Sequence, residues 1–295
     1  MIQLPRLGRA ILRQRALLAF LAILGLYGVY VYWRDLQHYT STDDAYVGAH
    51  VIPIAAQVSG PVARVYVHNN NQTQAHSPLF EIDPRPYKLA VQAALAAVAE
   101  RQAIWTNALA INRRTHRMAA HRFLSPQASD TTQAAVNADA AMLAGARVAL
   151  AQAQLNLAHC LIYAPTDGYI SDLKLRPGAY VQAGDPLFAL IASRYYWVTA
   201  NFKETALAHI EVGDRAHIHV DMYPNQVFQG RVVGVSGGSG TAFSLLPPEN
   251  ATGNWVKVTQ RVPVRIRVLD LDPRWPLRIG TSASVTVLFR KTHKS

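Results

Sequence analysis

Cysteine is almost absent. Cys160 is the only one in 295 residues, which excludes any disulfide within the chain. It closes an apolar run of Leu155, Leu157, Cys160 and Leu161, with no ligand-spaced His or Cys beside it. The expected role is a small buried hydrophobe rather than a reactive thiol. Charge is also scarce, at 16% of residues, and its distribution excludes more than its amount. Acidic residues are missing from residues 1–34, which carry Arg6, Arg9, Arg13, Arg15 and Arg34. They are missing too from the end, which carries Arg290, Lys291 and Lys294. Without these two stretches the net charge of +11 falls to +3, with 21 basic residues against 18 acidic over residues 35–289. A nearly neutral body offers no phosphate-tracking stripe, so nucleic acid is not an expected partner. Basic ends beside anionic lipid headgroups account for the charge better.

No set of nucleophile, base and orienting group stands out, and no metal cluster does. His217 and His219 place two imidazoles on one side of a strand without a third ligand nearby. A solvated polar face is the simpler reading. Asp43 and Asp44 are adjacent, so on an extended strand their carboxylates face opposite ways and cannot work as a pair. Ser236-Gly237-Gly238-Ser239-Gly240 lacks the Lys-Ser/Thr of a phosphate loop, and no helix pattern follows it; it reads as a flexible loop. The sequence gives no case for an enzyme, and none for a cofactor or metal.

Residues 16–33 contain no charge at all. Eighteen helical residues rise about 27 Å, close to the ~30 Å hydrocarbon core of a bilayer. Tyr27, Tyr30, Tyr32 and Trp33 gather at one end of this run as an interfacial belt would. Four arginines precede it, which predicts a cytoplasmic N-terminus at 1–15 and the bulk of the chain outside. Val-Tyr-Trp-Arg follows where a signal peptide would need small residues, so an uncleaved anchor is expected. Residues 34–50 read as a polar, extended linker.

Two stretches, 51–83 and 161–192, are copies of one pattern. A shift of 108 residues superposes Gly60 on Gly168, Gln74 on Gln182 and Ala75 on Ala183. The same shift places Pro78-Leu79-Phe80 on Pro186-Leu187-Phe188. Each copy has short apolar runs broken by Gly, Asn or Pro, which is strand-and-turn chemistry. Neither is long enough to bury a core alone. Together they predict one small β-sandwich, split by an insertion.

The insertion, residues 84–160, is helical in pattern. Pro84 and Pro86 mark its start. Val91, Val98 and Trp105 recur at seven, with Leu95 and Leu109 on a second seam. After a break at 124–129 a second helix is expected from about 131 to 159, capped by Ser129 or Asp130. There Val136, Leu143, Leu150 and Leu157 recur at seven, with Ala146 and Ala153 between them. Two matched stripes predict an antiparallel coiled-coil hairpin with arms of roughly 40–50 Å. From residue 193 to about 290 the pattern is β throughout. Alternating runs at 195–202, 216–220, 227–235, 262–268 and 282–289 suggest a small antiparallel barrel, with Pro263 at an edge or strand start. Residues 291–295 form a basic tail.

At Thr42-Asp43-Asp44-Ala45-Tyr46-Val47, at Val58-Ser59-Gly60 and at Tyr163-Ala164-Pro165-Thr166-Asp167-Gly168 the chain resembles bacterial membrane fusion proteins. These are periplasmic adaptors of the HlyD and EmrA type. Gln260-Arg261-Val262-Pro263-Val264-Arg265-Ile266 is similar to a barrel strand of that family. In length and hairpin size the chain looks most like the adaptors of aromatic carboxylic acid efflux pumps. The resemblance implies an elongated mixed α and β chain: an anchor, a split biotinyl/lipoyl-like sandwich, a helical hairpin and a C-terminal barrel. A true lipoyl carrier presents a modified lysine between its halves; here the hairpin occupies that place. One departure from the family is His76, where glycine is usual; the second copy keeps Gly184.

The resemblance further implies partners: an inner-membrane transporter, a TolC-like outer-membrane channel and further copies of the chain in a ring. Adaptors that dock on such channels carry an Arg, a Leu close behind it and a Ser seven residues after the Arg. Arg122 and Ser129 keep that spacing, Phe123 stands at the expected leucine, and Leu124 follows. The implied function is export of small toxic compounds from the inner membrane. An adaptor of an ABC-type peptide or protein secretion system, or an anchored structural protein without a transporter, are the alternatives.

Overall fold

The computed structural model of the chain describes residues 39–121, 123–240 and 258–288, together with Gly25 and Tyr27. Apart from those two residues, the expected anchor at 16–33 lies outside the described residues, as do residues 1–15 and the tail at 291–295. The fold is mixed α and β, and it divides into two units. Val51–Ser193 forms one; Met1–His50 with Arg194–Ser295 forms the other.

The first unit is the sandwich with its hairpin. Strands β2 (Gly60–Val65), β4 (Pro78–Ile82), β5 (Leu161–Tyr163) and β7 (Tyr180–Val181) make one sheet in the order β5-β4-β2-β7. Strand β3 (Gln72–Thr73) pairs with β6 (Gly168–Ser171), which pairs with the first part of β8 (Pro186–Lys203). The core holds Leu79, Phe80, Ile82, Ile170, Leu190 and Phe188, all buried. The Phe80 and Phe188 rings meet edge to face, 6.0 Å apart between centroids. Both copies of the repeat therefore supply one core, because each sheet face needs the other to cover it.

The hairpin comprises α1 (Arg85–Ala120) and α2 (Pro126–Ala158). Their 36 and 33 residues give arms of about 54 and 50 Å. Asp83 precedes α1 and clamps its start. Its carboxylate accepts the Arg85 backbone N–H at 3.0 Å and pairs with the Arg85 guanidinium at 2.7 Å. That contact holds the carboxyl below its ordinary value. Along α2 the buried or half-buried line is Val136, Leu143, Leu150 and Leu157 with Ala146 and Ala153. Along α1 one line is Val91, Val98 and Trp105, but the second differs from expectation. Leu95 is 49% exposed; the facing positions are Ala94, Arg101, Ala108 and Thr115. A seven-residue spacing admits a second line three or four places on; of the two expected leucines Leu109 is half-buried and Leu95 is not.

Helix α2 is long and apolar enough by composition to cross a membrane, but the apolar character comes largely from alanine. It is tied to α1 by polar side chains instead. The Thr132 hydroxyl donates to Asn112 Oδ1 at 2.8 Å, Asn112 Nδ2 donates to Gln133 Oε1 at 2.9 Å, and Arg147 donates to Gln102 at 3.1 Å. It is a hairpin arm.

The second unit is a closed six-stranded barrel. Strands β1 (Tyr39–Ala55), β12 (Ser282–Leu288), β9 (Arg215–Val220), β10 (Val227–Val235), β11 (Arg261–Val268) and β8 follow one another, and β1 pairs with β8 to close the ring. A short 3₁₀ helix, Glu204–His209, follows β8. Val198, Phe202, Ile218, Phe228, Val264, Ile266 and Val285 fill the interior. Residues 39–50, expected as part of a linker, supply the sixth strand. Ala45, Val47 and Ala49 point inward there, a pattern masked in the sequence by the small size of the alanines. Pro263 is the third residue of a strand flanked on both sides. Its carbonyl accepts the Ser236 N–H at 2.9 Å, and ladder pairing with β10 begins only at Val264. The expected edge or strand-start place is thus corrected: Pro263 lies inside β11, opposite Asn201 of β8, and its missing N–H falls just before the β10 ladder begins.

Candidate functional site

The connection between the two helices is short because Pro126 opens α2. Proline suits the first helical position, where no N–H partner is needed. Ser125 is the preceding residue, in an extended conformation, and makes no side-chain cap bond. The expected cap at Ser129 or Asp130 is therefore corrected: both lie inside the first turns of α2. Ser129 is half-buried, and its carbonyl accepts the Thr132 hydroxyl at 3.0 Å. On the other side His121 ends α1, and the Phe123 N–H reaches back to the Met118 carbonyl at 3.0 Å. Phe123 is 79% exposed and Leu124 is 37% exposed. Arg122 lies outside the described residues. What the connection presents is a largely uncovered Phe123 beside a partly covered Leu124, between two helix ends.

The sandwich residues named by the repeat take matched places. Leu79 and Phe80 are fully buried, Phe188 is buried, and Leu187 is half-buried against the same core. Pro78 and Pro186 open β4 and β8 and are exposed. A Cβ on Gly60 would stand 2.9 Å from Ile82, and one on Gly168 would meet the Ile191 carbonyl and Leu190. Ile82 and Leu190 are themselves equivalent under the 108-residue shift. The hydrogen bonds repeat as well. Ala75 N–H donates to the Asp167 carboxylate at 2.8 Å, and Ala183 N–H donates to the Ser59 hydroxyl at 3.0 Å. Ser59 and Asp167 are equivalent, so each half anchors the other's turn. Sequence comparison of the halves missed this pair, because a hydroxyl and a carboxylate do the same job with different letters.

The remaining candidates find structural places. Asp44 accepts Asn201 Nδ2 at 3.0 Å and Arg261 at 2.9 Å, tying β1 to β8 and β11. His217 and His219 sit on β9 opposite Gln229 and Val227. Among the described residues no group of three metal-ligating side chains exists. Cys160 is 2% exposed in the sandwich core, and burial pushes its thiol up to about 11. Such a thiol is a packing group.

Two family models match the chain. One, described as the barrel-sandwich hybrid domain of RND membrane fusion proteins, covers residues 50–193. The other, described as an AAEA-like beta-barrel domain, covers residues 195–288. The chain is 32% identical to the multidrug export protein EmrA of Haemophilus influenzae, over 93% of this chain and 84% of that protein. It is 35% identical to EmrA of Escherichia coli, over 87% and 78%. It is 36% identical to the fatty acid resistance protein FarA of Neisseria gonorrhoeae, over 83% and 75%. Among solved structures, the membrane fusion protein Spr0693 of Streptococcus pneumoniae superposes with a TM-score of 0.63 at 15% identity, covering 85% of this chain and 99% of that one. A MacA–MexA chimera carrying the Pseudomonas aeruginosa MexA α-hairpin domain gives 0.57 at 18% identity, over 85% and 81%. These superpositions speak to the fold.

Proposed function

Because this chain belongs to the membrane fusion protein family of the HlyD and EmrA type, we propose that it works as the periplasmic adaptor of a tripartite efflux pump. It joins an inner-membrane transporter to an outer-membrane channel and works as an oligomer. It performs no chemistry of its own. The anchor at 16–33 holds it in the inner membrane with its bulk in the periplasm. The observation that carries this reading is the split sandwich, whose two halves close on each other while a long two-helix hairpin leaves between them.

The hairpin connection is the surface for a TolC-like channel. Phe123 and Leu124 would fill an apolar groove on the channel's end, and Arg122 and Ser129 would bond its carbonyls or carboxylates. Exposed apolar residues at such a point mark contact sites. Several copies of the adaptor form a ring around the conduit. The cargo is small toxic compounds, aromatic acids among them; relatives named for multidrug export and fatty acid resistance support the breadth of this class.

The test is purification of the tagged full chain from membranes after mild crosslinking, beside a resistance assay in a strain lacking it. The reading expects a transporter and an outer-membrane channel in the eluate, and lost resistance without the chain. Recovery of neither partner, with resistance intact, would overturn it.

A further inference from the structure

Five register pairs set one row of residues around the barrel wall. Tyr39 faces Leu288, Leu288 faces Arg215, Arg215 faces Arg231, Arg231 faces Arg267, and Arg267 faces Trp197. The chain neighbours Val287, Ala216, Val232, Ile266 and Val198 are buried in the barrel, so the row points outward. Three arginines thus stand side by side on adjacent strands. Like charges directly opposite one another are destabilising. Among the described residues none of the three is ion-paired to a carboxylate. A fourth, Arg265, lies 4.8 Å from the centre of the Trp197 ring, and Arg267 lies 5.4 Å from that of Tyr195.

The fold keeps this repulsion, and the row's place suggests why. The expected span ends at Trp33, and Tyr39 is already a member of the row. The six intervening steps of chain reach about 20 Å at most. Arg215 lies two strand spacings from Tyr39, about 10 Å. The tether therefore keeps Arg215 within about 30 Å of a headgroup layer, with Arg231 and Arg267 on the next two strands of the row. Guanidinium groups pair with phosphate in a bidentate fashion, and Tyr and Trp rings favour the membrane–water interface. We propose that this row is a docking face for anionic phospholipid headgroups, which holds the barrel against the outer leaflet of the membrane the anchor crosses. The inference rests on the anchor reading for residues 16–33.

The test uses the full chain in nanodiscs of phosphatidylcholine alone or mixed with phosphatidylglycerol. Trp197 is kept as the only tryptophan, the others being changed to Phe, and headgroup-spin-labelled lipid is the quencher. Quenching should be strong in the anionic discs, weak in the neutral ones, and suppressed by high salt. Each of Arg215→Gln, Arg231→Gln and Arg267→Gln should lower the ratio of docked to undocked barrel about fivefold. The triple variant should unfold at the same temperature as the parent or higher, since it relieves repulsion. Equal quenching in both discs, or quenching untouched by the triple variant, would overturn the proposal. So would protection of the row only when the transporter is added, which would assign it to an acidic protein face. A chain that fails to enter the discs would overturn the anchor, and this inference with it.

Discussion

His76 and Gly184 occupy one and the same turn position in the two halves of the sandwich, and both are left-handed, with φ of 63° and 94°. The His76 N–H donates to the Ala164 carbonyl and the Gly184 N–H to the Ala56 carbonyl, each at 2.8 Å. Asn70 and Gly178 repeat the relationship at a second turn, with φ of 65° and 87°. In both cases the first half bears a side chain where the second has none.

That asymmetry gives the first prediction. A side chain in the left-handed region costs roughly 1–2 kcal/mol, partly offset by the extra freedom glycine brings to the unfolded chain. His76→Gly should therefore raise stability slightly, and Gly184→Ala should lower it by about 1 kcal/mol. No atom lies within 4 Å of a Cβ at Gly184, so the loss would be conformational rather than steric. Denaturant unfolding of both variants checks the signs.

The second prediction concerns the edge-to-face pair. Phe80 is fully buried, and Phe80→Ala should cost about 3–5 kcal/mol. Phe188→Ala should cost a similar amount. Because the rings touch, the double variant should cost less than the two single changes added together. Additive losses would mean the halves do not share a core.

Helix-connection variants separate docking from folding. Leu124→Ser, Phe123→Ser and Arg122→Asp should leave membrane insertion and thermal unfolding nearly unchanged; Phe123→Ser, at the most exposed of these described positions, should stay within about 0.5 kcal/mol. Resistance in cells, and crosslinking to the outer channel, should be lost. Variants that export like the parent would remove the docking role; variants that unfold would make the connection purely structural.

Cys160 gives a prediction in pH. Its thiol rises from an ordinary 9.0 to about 11, chiefly because burial disfavours the thiolate. A raised folded value favours the protonated form. The stabilising contribution is complete below about 9 and is lost as pH climbs towards about 11. Native protein at neutral pH should resist thiol-labelling reagents and label only on unfolding. Prompt labelling of the native chain would contradict the buried placement.

Much of the sandwich was legible because backbone demands leave letters behind. Gly60 and Gly168 recur where a neighbouring strand leaves no room for a Cβ, and Leu79-Phe80 recurs with Leu187-Phe188 where the core must be filled. The hairpin was legible from its larger residues and misread through its smaller ones. Its second seam runs through Ala94, Arg101, Ala108 and Thr115, none of which announces burial. Polar bonding between the arms, such as Asn112 with Thr132 and Gln133, fixes register without an apolar signature. The arginine row was not legible at all. Arg215, Arg231 and Arg267 become neighbours only through strand register, which depends on pairings across three strands.

The base of the hairpin is closed by ordinary strand pairing. Glu81 faces Leu161, and the Ile82 N–H donates to the Cys160 carbonyl at 2.8 Å. The chain leaves the sandwich and re-enters it at adjacent points, whatever lies between. Adding one heptad to each arm would lengthen the hairpin by about 10.5 Å and leave every bond of the sandwich in place. The arm can thus be lengthened or shortened like a ruler, one heptad at a time, from a base whose own contacts stay as they are.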